Sequence, residues 1–97
     1  MPTALWLERL PVHPARVVEL EGLLGEMVAE MRSAAGCLWT DASAAMDDVP
    51  SYLVLSEWRS SSDLEAWLGG AGCRELGLRR EPWLRDSVSG RRFSGGA

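Results

Sequence analysis

The chain has no lysine, asparagine, glutamine or isoleucine, and only one histidine, one tyrosine and one phenylalanine. Without lysine there is no amine for Schiff-base chemistry, and without Asn or Gln there is no carboxamide for an oxyanion hole. Two cysteines, Cys37 and Cys73, lie far apart without metal-ligand spacing, so the expectation is two free thiols in a reducing compartment. No apolar run approaches the roughly 20 residues that cross a bilayer, and the N-terminus lacks the basic-then-apolar pattern of a signal peptide. A cytoplasmic protein with no membrane partner is therefore expected. Fourteen acidic residues against ten arginines give a net charge of −4, which argues against a nucleic-acid partner because phosphate binding needs a basic surface. Walker loop, nucleophile elbow, dinucleotide fingerprint and zinc spacing are all missing, so no cofactor and no metal are expected.

What is present reads as one globular domain over residues 1–97, with an ordered core of about 3–93 and a flexible Ser-Gly-Gly-Ala tail at 94–97. The organising stretch runs from Tyr52 to Gly70. Its first seven residues, Tyr52 to Trp58, are β-branched, aromatic or leucine-rich and read as a strand. The serine run that follows supplies helix caps, with Ser60 before Asp63 and Ser62 before Glu65 at capping spacing. Gly69-Gly70 is expected to permit a left-handed stop.

Upstream, Ala4 to Leu10 reads as a first strand, with Leu5 and Leu7 on one face and Trp6 and Glu8 on the other, ended by Pro11 and Pro14. From Ala15 to about Arg32, apolar residues recur at three and four positions while Glu19, Glu26 and Glu30 form an acidic stripe, which predicts a long amphipathic helix left at Gly36. Cys37 to Ala44 is the second strand, and Asp47-Asp48-Val49-Pro50 a hairpin loop into the third. Cys73 to about Arg80 has helical composition, Trp83-Leu84 should tuck back on the core, and Val88 to Phe93 is the fourth strand. This β-α-β-β-α-β order is an α+β, ferredoxin-like split β-α-β arrangement with a four-stranded antiparallel sheet and helices on one face. On the first and third strands both parities are apolar: Leu5, Leu7, Leu53 and Leu55 against Trp6, Tyr52, Val54 and Trp58. One face should meet the helices and the other a second copy, so a symmetric homodimer is expected.

The Ala35-Gly36-Cys37-Leu38 turn after the long helix, the Tyr52…Glu57-Trp58-Arg59-Ser60 strand end and the capped helix leading to Leu68 resemble the antibiotic biosynthesis monooxygenase family of dimeric α+β barrel proteins. That resemblance implies a small-molecule site in a homodimer, and for the oxygenases of aromatic polyketides it implies chemistry without a cofactor. Other members are haem-degrading enzymes, isomerases and cyclase relatives. Oxygenases of the anthrone-oxidising kind have a tryptophan like Trp58, with an Asn four residues before and a Tyr six after; here those positions hold Val54 and Leu64. The haem-degrading branch has an Asn near the position of Glu8 and an iron-ligating His after the second helix, and Cys73 to Gly77 contains no His. Haem binding is therefore disfavoured.

Candidate catalytic residues are Trp58, Glu8 and His13. Glu8 shares a face with Trp6 and is either an acid or base in apolar surroundings or the partner of Arg91 or Arg92 across the sheet. His13, in the loop before the long helix, is either a general base or a solvated loop side chain. Five tryptophans suit a flat polycyclic ligand through stacking and indole N–H donation, or else fill the core. Trp6, Trp39 and Trp67, with Val54 beside them, are candidate substrate contacts. Arg74, with Arg79 and Arg80, is a candidate to hold a phenolate or carboxylate at the pocket mouth. The function the family resemblance implies is cofactor-independent oxygenation of an aromatic polyketide-type intermediate in secondary metabolism. The alternatives are a cyclase or isomerase with the same pocket, or a binding protein that has lost the proton-handling residues.

Overall fold

Strand β1 runs from Thr3 to Pro11 and alternates as its sequence predicts, with Ala4, Glu8 and Leu10 buried. The computed structural model describes residues 2–45 and 50–95. After β1, Pro14–Arg16 forms a 3-10 turn, and the backbone of Arg16 leaves helical geometry before helix α1 begins at Val17 and runs to Ser33. The long helix therefore starts two residues later than Ala15, because Pro14 sets a separate tight turn. Leu20, Leu23, Leu24, Met27 and Met31 form its buried stripe, and Glu19, Glu26 and Glu30 face outward.

Gly36 then turns the chain with φ +84°, the one positive φ among the described residues. A Cβ there would lie 2.3 Å from Cγ of Asp63, so both the backbone angle and the space demand glycine. Strand β2, Cys37–Ala44, pairs antiparallel with β3, Ser51–Trp58. The expected Asp47-Asp48-Val49-Pro50 loop lies, apart from Pro50, outside the described residues. The carbonyl of Pro50 accepts a hydrogen bond from Val12 N–H at 3.2 Å, which ties the start of β3 to the end of β1.

Helix α2, Ser61–Leu68, is capped by Ser60, whose Oγ accepts from Asp63 N–H at 3.2 Å. Of the two serines at capping spacing, Ser60 is the one used. The expected left-handed stop at Gly69-Gly70 is not formed: Gly69 has φ −90° and Gly70 φ −80°, and Gly70 caps the next helix, α3, Ala71–Arg80. Helix α3 passes into a second 3-10 turn, Glu81–Trp83, and Trp83 and Leu84 pack against the core as expected. Strand β4 is Ser89–Gly95, shifted towards the C-terminus from Val88–Phe93, so Ser94 and Gly95 belong to a strand rather than to a tail.

The strands order as β2-β3-β1-β4 with every neighbour antiparallel, and the helices lie on one face. This is a ferredoxin-like α+β fold. Ala4, Leu10, Val54 and Trp58 meet Leu20, Leu23, Leu24, Met27, Met31, Leu64 and Leu76 in one core. The two parities separate as predicted, with the Trp6, Tyr52, Val54 and Trp58 side under the helices. On the other side, the register between β2 and β3 shifts between Cys37 and Trp39. This bulge places Cys37 against the core and turns Trp39 to the open face, where it is 42% exposed. There Glu57 accepts from Trp39 Nε1 at 2.9 Å and from Thr3 Oγ1 at 2.6 Å.

Candidate functional site

Sheet parity decides which side chains reach the layer between sheet and helices. On β1 these are Ala4, Trp6, Glu8 and Leu10, set opposite Trp58, Ser56, Val54 and Tyr52 of β3. Trp58, at the end of β3, is fully buried, and its Nε1–H donates to Oγ of the equally buried Ser56 at 2.9 Å. Because α2 starts three residues later, Trp67 returns over the strand end and stacks on Trp58, with centroids 6.0 Å apart and planes inclined by 23°.

Glu8 is the one charged side chain among the buried described residues. Helix α3 carries Arg80 back over β1, and Arg80 Nη2–H donates to Glu8 Oε2 at 3.0 Å. Another nitrogen of the same guanidinium, Nη1, lies 3.5 Å from Met27 Sδ. The partner across the sheet is thus neither Arg91 nor Arg92. Opposite Glu8 on β4 stands Gly90, while Arg92 bonds Glu65 and Arg91 lies over the Phe93 ring. Cys73, from the first turn of α3, is a free, half-buried thiol; burial pushes its pKa up, the charge of Glu8 adds to the rise and Arg80 opposes it. The thiol form therefore prevails at neutral pH.

Trp6 lies across Gly90, where a Cβ would come 2.2 Å from Cη2 of the indole. The indole N–H of Trp6 is buried with no hydrogen-bond partner, a donor free for an oxygen atom of a ligand. Beside this layer, a cleft of about 410 Å3 is lined by Gly77, Arg80, Leu84, Arg85 and Val88 among others, and reaches Glu8 through Arg80.

The structure thus gathers Trp6, Glu8, Val54, Trp58 and Trp67 in one layer and leaves three other candidates outside it. His13 is exposed in the loop before α1. Trp39 is on the opposite face of the sheet. Arg74 is exposed on α3 and donates to Gly69 O at 3.4 Å. Arg79 pairs with Glu26 at 2.9 Å, and of Arg74, Arg79 and Arg80 it is Arg80 that lines the cleft. Ser56 and Gly90 were not singled out by sequence reasoning. An isolated glycine inside an arginine-rich strand was the available sign of a close approach at 90.

Chemically, the layer offers a carboxylate, a guanidinium able to hold an oxyanion, a buried indole N–H without a partner, and flat aromatic walls. No group of three His, Cys, Asp or Glu capable of holding a metal occurs among the described residues.

Solved structures share this fold over nearly the whole chain. A conserved protein from Methanosarcina mazei superposes with a TM-score of 0.89 at 16% identity, covering 99% of this chain and 95% of its own. A protein from Mycobacterium tuberculosis gives 0.86 at 20% identity, covering 100% and 97%. A mutant of SnoaB, a cofactor-independent oxygenase from Streptomyces nogalater, gives 0.82 at 16% identity, covering 96% and 92%. At these identities the likeness is one of fold. No curated protein matches the sequence significantly. The sequence model of one family, antibiotic biosynthesis monooxygenase, matches residues 7–76, a span that holds the second half of β1, all of α1, β2, β3 and α2, and the first half of α3. The chain belongs to the antibiotic biosynthesis monooxygenase family.

Proposed function

We propose that the protein is a cofactor-independent monooxygenase acting in the cytoplasm on an electron-rich aromatic, polyketide-type intermediate of secondary metabolism. The observation that carries this reading is Glu8, a buried carboxylate 3.0 Å from Arg80 and on the same face as the tryptophans. In the reaction Glu8 exchanges Arg80 for the substrate and takes a proton from a phenol or an activated CH2. The resulting carbanion adds O2, the peroxide takes back the proton from Glu8, and the hydroperoxide loses water to leave a carbonyl. The balance is CH2 + O2 → C=O + H2O, with all electrons supplied by the substrate. Arg80, freed from Glu8, holds the enolate oxygen, and the Trp6 N–H donates to a second oxygen of the ring system.

The test is a tryptophan-fluorescence titration with tricyclic phenols, with oxygen consumption followed in the same cuvette and no cofactor added. Quenching with oxygen uptake that falls at least about 100-fold in Glu8→Gln, and more modestly in Trp58→Phe, is the expected result. Quenching without uptake in the unaltered protein would sink the oxygenase reading. It would leave a cyclase or isomerase using the same carboxylate, or a non-catalytic binder. The binder reading is favoured by one feature, that Glu8 and Trp58 already have partners in Arg80 and Ser56. A Soret band on titration with haem would point instead to the haem-degrading branch.

The open face of the sheet supports assembly as a homodimer. Leu5, Leu7, Leu53 and Leu55 stand there half-buried beside the exposed Trp39 and Phe93, and an isologous contact between two such faces would remove them from water.

A further inference from the structure

We propose that the cleft between α1 and the edge strand β2 is a second small-molecule site, one that takes a primary organic ammonium with an apolar body. The cleft measures about 430 Å3, within the range of small-ligand pockets. It lies on the side of the helical layer away from Glu8 and Arg80, so it is independent of the oxygenase reading. Gly25 and Val28 of α1 and Ala42 and Ala44 of β2 make its apolar wall. A Cβ at Gly25 would meet nothing within 4 Å. Packing therefore does not require glycine there, although glycine weakens a helix interior.

At one end stands Tyr52, nine-tenths buried, whose O–H donates to Glu21 Oε1 at 2.5 Å. With its proton committed, the phenol presents only acceptor lone pairs to a ligand, and Glu21 keeps a second oxygen. Burial, then the hydrogen bond to Glu21 and its charge, push Tyr52 up to about 12, so the phenol keeps its proton at neutral pH. Glu21, on the helix side of the cleft, has no ion-pair partner among the described residues, whereas Asp41 shares the strand parity of Trp39 on the open face, and its Oδ1 accepts from Ala42 N–H at 2.8 Å. Arg32, the one cation of the lining, donates to the Thr40 carbonyl at 3.3 Å. With Arg32 turned to that carbonyl, the Glu21 carboxylate and the Tyr52 oxygen leave this end of the cleft rich in acceptors. A bare divalent cation does not fit, because no three metal-ligating side chains converge among the described residues. The ammonium group sits on Glu21 and Tyr52, with the apolar body along Val28 and Ala42.

The experiment is a 15N–1H correlation titration of the full chain with phenethylammonium, beside phenylacetate as the anion of matching shape. Saturable shifts confined to the amides of Gly25, Val28, Ala42 and Ala44 are expected with the amine and not with the anion. Glu21→Gln should weaken the amine by about tenfold or more. Gly25→Leu, which places its side chain in open space, should abolish the shifts while the rest of the spectrum stays in place. Equal shifts with phenylacetate, no saturation at millimolar amine, or unchanged binding to Gly25→Leu would each overturn the proposal.

Discussion

Replacing Arg80 by methionine tests whether the Glu8 site is a buried ion pair or a surface bridge. Met keeps most of the apolar stem of the arginine and removes the guanidinium that bonds Glu8 at 3.0 Å. The Arg80 and Glu8 side chains are 13% and 11% exposed, so the change strands a carboxylate that water barely reaches. Breaking a buried pair this way costs about 3–5 kcal/mol, and the residual exposure puts this one near about 3 kcal/mol. A domain of this size holds about 5–15 kcal/mol in total. With an m-value of about 1.5 kcal/mol/M, the urea midpoint should fall by about 2 M, read from tryptophan fluorescence at fixed protein concentration. The double substitution Glu8→Leu with Arg80→Met removes both charges and should return to within about 1 kcal/mol of the unaltered protein. A loss under about 1 kcal/mol for Arg80→Met alone would mean that the pair behaves as an exposed bridge. A double variant as unstable as the sum of the singles would refute the reasoning from the other side.

Gly36→Ala should lose more than about 1 kcal/mol, since φ is +84° and Asp63 occupies the Cβ position, whereas Gly69→Ala, at φ −90° with its nearest contact at 3.4 Å, should be neutral or slightly stabilising in the same urea assay. The single tyrosine makes Tyr52 the only phenol to ionise, so its absorbance near 295 nm should titrate near pH 12 in the folded protein and fall part of the way towards 10 in Glu21→Gln, burial being the larger cause of the rise. Because the folded pKa is the raised one, the associated stability is complete below pH 10 and lost as pH climbs towards 12; a midpoint near 10 in the unaltered protein would contradict the Tyr52–Glu21 contact. Leu7→Glu, on the open face of the sheet, should halve the mass found by sedimentation equilibrium, and an unchanged mass would refute the face-to-face dimer.

The fold was legible because its main signals are local. The three- and four-residue recurrence along Leu20 to Met31, the strand run Tyr52 to Trp58 and the cap at Ser60 each lie within or at the end of one element, the longest spanning about three helical turns. Where a local signal has two structural solutions, sequence alone did not choose. Gly69-Gly70 suits a left-handed stop, yet the chain spends its freedom there on starting α3, and a Cβ at Gly70 would lie 3.1 Å from the Ala66 carbonyl. Trp39 illustrates the strand version of the same problem. Strict alternation from Cys37 puts 37 and 39 on one face, and a single bulged residue sends them to opposite faces. No pattern in Cys37-Leu38-Trp39 announces that slip.

The site is harder to read than the fold because its decisive contact joins residues 72 positions apart. Sequence parity placed Glu8 beside Trp6 without saying which face meets the helices, and left it as either an acid or base in apolar surroundings or one half of an ion pair. It supplied two arginines on the neighbouring strand as the nearest choice. The structure rejects them for a physical reason: Glu8 faces Gly90 across the β1–β4 ladder, Trp6 covers the space over that glycine, and a guanidinium can approach Glu8 from the α3 side. That geometry links stability and chemistry. If Glu8 is the base, each turnover must part it from Arg80, and the substrate must then supply the anion that Arg80 loses. Substrates with an ionisable phenol meet that condition and neutral aromatic hydrocarbons do not, so oxygen uptake should appear with hydroxylated tricyclic compounds and vanish with their methyl ethers. Equal uptake with the ethers would place the proton transfer somewhere other than Glu8.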